Sequence, residues 1–125
     1  MRKALMAAVA ACALIAAGGT GHAQEKLKIG VLATLSGALT SGGEDGVRGA
    51  QLALKQRGGK IAGREVEFII AATDASPDSA LRAARKLVEQ DKVQLILGPL
   101  SGSEGIAMRD YSKTVPNVTV VDASS

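Results

Sequence analysis

A chain of 125 residues, 46% hydrophobic and 22% charged, has room for one small domain or for part of a larger one. Fifteen Lys and Arg against twelve Asp and Glu give a net charge of +3, and one Phe, one Tyr and no Trp supply too few stacking platforms for single-stranded nucleic acid, so no nucleic-acid partner is expected. The single Cys and the single His fall at positions 12 and 22, which leaves the rest of the chain without a disulfide, a thiol nucleophile or a His-based triad.

The first residues read as an export signal. Arg2 and Lys3 form a short basic start, Ala4 to Ala17 an uncharged apolar run, and Gly18 to Gly21 a break. Gly21-His22-Ala23 then places small residues at the −3 and −1 positions, so the leader is assigned to residues 1–23, with cleavage after Ala23. The apolar run is shorter than the roughly 20 residues that cross a bilayer. Val9-Ala10-Ala11-Cys12 resembles a lipobox, which makes lipid anchoring at Cys12 the alternative, but the chain stays apolar after the cysteine instead of turning polar. Without the leader, thirteen cations face twelve anions, a net charge of +1, so most of the basic excess belongs to the leader. A periplasmic location follows from this reading.

Residues 24–125 alternate strand and helix signals. Lys26 to Leu32 alternates apolar and polar residues as a strand does, and the Gly- and Ser-rich stretch 33–44 reads as a loop. Val47, Ala50 and Leu54 share a helical face, so a helix is expected from Asp45 to Arg57, closed by Gly58-Gly59. Ile61 to Arg64 reads as a turn and Glu65 to Ala72 as a second strand. Ser76 and Pro77 form a cap and first helical position for a helix to Gln90, whose stripe is Ala80, Leu81, Ala84, Leu87 and Val88. Val93 to Leu97 is a third strand, stopped by Gly98-Pro99. Glu104 to Lys113 is a third helix and Val118 to Val121 a fourth strand. The order β-α-β-α-β-α-β implies an α/β fold: a parallel sheet with helices on both faces. The last strand has no helix after it, so the sheet is expected to be unfinished.

Open parallel sheets bind ligands at the C-terminal ends of their strands. The segment Ser101-Gly102-Ser103 lies at that edge, where the first backbone N–H groups of the third helix have no intrahelical partner. A carboxylate there gains hydrogen bonds and the field of the helix terminus, and Gly102 leaves the approach open. Capping of the helix by Ser101 or Ser103 is the simpler role and is compatible with ligand contact. The glycines at 37, 42, 43 and 46 lack the spacing of a dinucleotide fingerprint, and no Walker pattern is present. Asp74, Asp78 and Asp122 form no paired-carboxylate or metal-ligand pattern, and Tyr111 reads as a packing residue. No catalytic residue, metal or cofactor is assigned.

The stretches KIGVLATLSGALTSGGEDGVRGAQLAL, GGKIAGREVEF, DASPDSALRAARKLVEQDKVQLILGPLSGSEGIA and VPNVTVVDASS together resemble type I periplasmic solute-binding proteins of ABC importers, nearest to the branched-chain amino acid (leucine/isoleucine/valine)-binding branch. The resemblance implies two α/β lobes joined by a hinge, with residues 24–125 forming the N-terminal part of the first. It implies a small solute clamped in the interlobe cleft, permease subunits of an importer as partners, and no catalysis. It places early ligand contacts at Ser41, Gly42 and Gly43, at Ser101, Gly102 and Ser103, and at Ala123, Ser124 and Ser125. In the amino-acid binders a serine often stands where Gly102 stands here, and an aromatic residue near Gly42. Their absence leaves backbone N–H groups and neighbouring serines to hold the solute, so an aromatic acid or an amide fits as well as a branched-chain amino acid. The same lobe also serves as the ligand-binding domain of sensors and receptors. A secreted α/β enzyme is the third reading and would need a nucleophile and a base at the strand ends.

Overall fold

The structure is a computed structural model that describes residues 23–124. The leader assigned to residues 1–23, with Cys12, lies outside the described residues except for Ala23, and so does Ser125. The elements in chain order are β1 (Leu27–Thr34), α1 (Thr40–Gln56), β2 (Lys60–Ile61), β3 (Arg64–Thr73), α2 (Pro77–Glu89), β4 (Leu95–Leu97), α3 (Gly102–Ser112) and β5 (Thr119–Val121). They form one five-stranded sheet in the order β2-β3-β1-β4-β5. β1 runs parallel to β3 and to β4, and β4 parallel to β5.

Three departures from the sequence reading have physical causes. The expected turn at 61–64 is a β-hairpin: Lys60 and Ile61 pair antiparallel with Glu65 and Arg64. Ala62 and Gly63 both have positive φ, 51° and 77°, the requirement of a two-residue turn that matches strand twist. The sheet is therefore mixed at one edge instead of wholly parallel. The second departure is α1, which begins at Thr40 instead of Asp45 and takes in residues 40–44 of the expected loop. Gly43 explains this. A Cβ at that position would lie 1.8 Å from the Thr34 carbonyl oxygen, so the glycine lets the first turn of α1 sit directly on the end of β1. Third, β4 is shorter than Val93 to Leu97. The Val93 N–H bonds to Leu87 O at the end of α2, and the Gln94 N–H to Lys28 O, before the β4 ladder begins.

α2 follows the sequence reading closely. Ser76 accepts from the Ser79 N–H at 3.3 Å, Pro77 occupies the first turn, and Ala80, Ala84 and Leu87 are fully buried. The alanines let the helix approach the sheet, and Leu87 fills the space over Gly30, where a Cβ would come within 2.7 Å of it. Leu32, Ala80, Ala84, Leu87, Val93, Ile96 and Met108 form one core between the sheet and the pair α2 and α3, with Tyr111 packed at its margin. Ile29, Val31 and Ala33 alternate with Gly30 and Leu32, so they point to the other face, where α1 packs on β1. The chain moves one way from β1 to β3 and the other way from β3 to β4 and β5, the change of direction that puts helices on both faces when crossovers follow the right-handed rule.

Candidate functional site

The parallel strands all end at one edge, at Thr34, Thr73, Leu97 and Val121. The direction of winding reverses between β1 and β4, and in open α/β sheets the crevice for ligands forms at such a reversal. The chain leaving β1 leads into α1, and the chain leaving β4 leads into α3. Their starts lie close together, since a Cβ on Gly42 would come within 3.1 Å of the Leu100 side chain.

The segment between β4 and α3 begins in close contact with β1. Gly98 has a φ of +103°, and a Cβ there would lie 2.5 Å from the Leu32 carbonyl oxygen, so only glycine fits. Its N–H bonds to Val121 O, and the Gly98-Pro99 peptide is cis. Ser101 then caps α3 in a complete capping box with Glu104. The Glu104 N–H donates to Ser101 Oγ at 3.4 Å, while the Ser101 N–H and hydroxyl face Glu104 Oε2 at 3.4 and 2.9 Å.

Glu104 is fully buried and reaches beneath the helix start to β1, where the Thr34 hydroxyl faces Oε2 at 3.4 Å. Thr34 Oγ1 lies 3.4 Å from Thr73 Oγ1, so the ends of β1 and β3 and the start of α3 share one buried polar cluster. Ser101 and Ser103 tie this cluster to the loop before α2, each within hydrogen-bond reach of Ala75 O, at 3.2 and 3.1 Å. In that loop the Ser76 hydroxyl and N–H donate to Asp74 and hold its carboxyl below the ordinary aspartate value.

These contacts separate the sequence-assigned residues by role. The Ser101 hydroxyl is turned inward to Glu104 and Ala75, so it holds the platform. The N–H groups of Gly102 and Ser103, at the first two helical positions, have no intrahelical carbonyl to meet and are the donors a head group would use. Ser41 is exposed and Gly42 half-buried in the first turn of α1. Gly43 is buried and gives its N–H to Leu39 O, so it shapes the crevice from below. Ser124 and Gly102 line a common cavity of about 290 Å³ with Gly105, Arg109 and Asp122. Gly105 permits this closeness, since a Cβ there would meet Ser124 Oγ at 2.3 Å. Ala123 is exposed beside it. Sequence reasoning gave Glu104, Thr34 and Thr73 no role of their own at the site. The spacing Ser101-x-x-Glu104 was the available signal for the first, whereas the threonines are joined only by the β1–β3 register. Among the described residues, no group of three His, Cys, Asp or Glu is placed to hold a metal ion, and no helix is long and apolar enough to cross a membrane.

The sequence pattern of the family described as "Periplasmic binding protein" matches residues 26–124. The chain belongs to this family. A Leu/Ile/Val-binding protein homolog 2 of Brucella abortus is 30% identical over 112 residues, which is 88% of this chain and 29% of that protein. The chain thus spans less than a third of the length of the curated relatives it matches. An ABC transporter substrate-binding protein from Sphaerobacter thermophilus shares the fold with a TM-score of 0.75 and 38% identity, over 81% of this chain and 27% of that one. A solute-binding protein of an ABC transporter from Rhodopseudomonas palustris, solved with 3,4-dihydroxybenzoic acid, has a TM-score of 0.74 at 26% identity, over 80% of this chain and 28% of its own. The branched-chain amino acid transporter substrate-binding protein LivJ of Streptococcus pneumoniae, solved with isoleucine, has a TM-score of 0.72 at 26% identity, over 80% and 29%. The α/β architecture of this periplasmic binding protein family member is that of type I binding proteins, with β2 adding an antiparallel edge.

Proposed function

We propose that this periplasmic binding protein captures a small solute with a carboxylate or amide head group and delivers it to the permease subunits of an ABC importer. The solute's head group lies over the Gly102 and Ser103 N–H groups. Ser41 and Gly42 border it from α1, Gly43 supports that border, and Ala123 and Ser124 border it from the end of β5. The observation that carries the reading is the start of α3: two backbone donors without intrahelical partners, fixed by a capping box, at the point where the winding of the sheet reverses. Such a site binds and orients. The Ser101 hydroxyl and Glu104 are turned inward as a helix cap, which favours solute capture over catalysis. The relatives solved with 3,4-dihydroxybenzoic acid and with isoleucine support a solute with a carboxylate head group.

The test is a thermal-shift screen of the protein, as expressed from its gene, against amino acids, aromatic acids and amides, followed by calorimetry on the hits. Gly102→Val covers the backbone donors and should weaken a confirmed solute at least about tenfold, on the order of 1.4 kcal/mol. Ser103→Ala removes a hydroxyl already directed at Ala75 O and should change the affinity by less than about 1 kcal/mol. Ser101→Ala removes the cap and should lower stability by about 1 kcal/mol, so unfolding and affinity are measured on the same variants. A hit that binds the Gly102→Val variant as tightly as the parent refutes this placement. If no small solute binds, solute capture itself fails.

A further inference from the structure

We propose that Asp122 reads an amino group on the solute, so that the α3 site binds carboxylates carrying an adjacent ammonium more tightly than the same carboxylates without one. The inference rests on the reading that the solute's carboxylate lies over the Gly102 and Ser103 N–H groups. Asp122 directly follows β5, so it leaves the sheet at the same edge as the start of α3. Its Oδ1 accepts the Ser124 N–H at 2.8 Å, a local turn that fixes where the carboxylate points. The other oxygen lies against α3: a Cβ on Gly105 would come within 2.9 Å of Asp122 Oδ2. Gly105 stands three residues after Gly102, on the same face of the helix and about 4.5 Å farther along its axis. Backbone donors and an acceptor carboxylate thus meet on one helix face, and Gly102 and Asp122 line the same cavity of about 290 Å³. An α-amino acid carries its acceptor and its donor on neighbouring atoms, so its carboxylate can meet the helix start while its ammonium meets Asp122 Oδ2. Arg109 lines the same cavity but lies 3.6 Å from Asp110, and among the described residues no ion pair reaches Asp122. Asp122 is exposed, so a solute in the cavity can reach it. An amine-free acid binds through the helix start and forgoes this second contact.

Asp122→Asn removes the charge and keeps an oxygen for the Ser124 N–H. Calorimetry on the protein as expressed from its gene compares parent and variant for two pairs that differ only in the amine: leucine with 4-methylpentanoate, and phenylalanine with 3-phenylpropanoate. The parent should bind the amino acid of at least one pair about tenfold more tightly than its amine-free partner, as a hydrogen bond to a charged group allows. The variant should lose on the order of tenfold for that amino acid and less than about threefold for the amine-free acid. Should Asp122→Asn fail to fold, Asp122→Ser keeps a side-chain oxygen at the turn and must narrow the gap in the same way. Equal losses for both members of a pair, or amine-free acids that bind the parent as tightly as their amino acids, overturn the inference and leave solute capture standing. If the parent binds none of the four, this inference fails, and the wider screen decides whether solute capture falls with it.

Discussion

Replacing Gly43 by alanine tests the contact that seats α1 on the sheet. The added Cβ would lie 1.8 Å from Thr34 O, 2.7 Å from Thr34 C and 3.0 Å from Thr34 N, all backbone atoms that cannot rotate aside. To reach even a 3.0 Å separation from the oxygen, the start of α1 must withdraw from β1 by about 1.2 Å. Overpacking of this kind costs about 1–3 kcal/mol, and a clash against main chain belongs at the upper end. Alanine in a helix recovers up to about 1 kcal/mol of propensity, which leaves a net loss near 2 kcal/mol. Gly46 and Gly49 lie in the same helix with nothing within 4 Å of an added Cβ, so alanine at either should gain about 0.5–1 kcal/mol. Urea unfolding of the three variants should therefore separate Gly43→Ala from its two controls by roughly 3 kcal/mol with an unchanged slope. If Gly43→Ala proves as stable as Gly46→Ala, the close seating of α1 on Thr34 is wrong, and the position given to Ser41 and Gly42 falls with it.

Two further outcomes are expected. The exported product should begin at Gln24 by mass spectrometry, and an N-terminus at a lipidated Cys12 would overturn cleavage after Ala23. Hydrogen bonds from Ser76 hold the Asp74 carboxyl below its ordinary value of 3.8, so the stability they contribute is fully present above that value and is lost as pH falls through the lower folded one. Asp74→Ala should accordingly be less stable than the parent at neutral pH, with the gap closing in acid titration; a gap independent of pH would assign the difference to something other than the charge.

Strands and helices were legible where one local rule decided them. Ser76-Pro77 announces the start of α2, and the spacing of Ala80, Ala84 and Leu87 names the face that the structure buries completely. The start of α1 was not legible, because glycines and serines at 36–43 read as a loop by propensity alone, and what makes 40–43 helical is a contact with Thr34. The β2–β3 hairpin was hidden for a related reason: Ala62 adopts positive φ, a conformation its residue type does not advertise. At the candidate site, the helix start at Ser101 was readable from its cap. Its buried support was not, because Thr34, Thr73 and Glu104 are brought together by sheet register and by the path of α3.

The polar cluster also explains why backbone atoms, rather than serine hydroxyls, are the donors left at this edge. A hydroxyl has one hydrogen to give. Ser101 has both Glu104 and Ala75 O within reach of its own, and Ser103 has Ala75 O within 3.1 Å. The N–H groups of Gly102 and Ser103 have no such competitor, because the geometry of a first helical turn puts every intrahelical carbonyl out of reach. Buried polar groups held by several partners are costly to rearrange, so the side chains fix where these donors point. A backbone N–H donates to a carboxylate, an amide oxygen or a hydroxyl oxygen with similar geometry, so selectivity at the proposed site would come from what surrounds the head group.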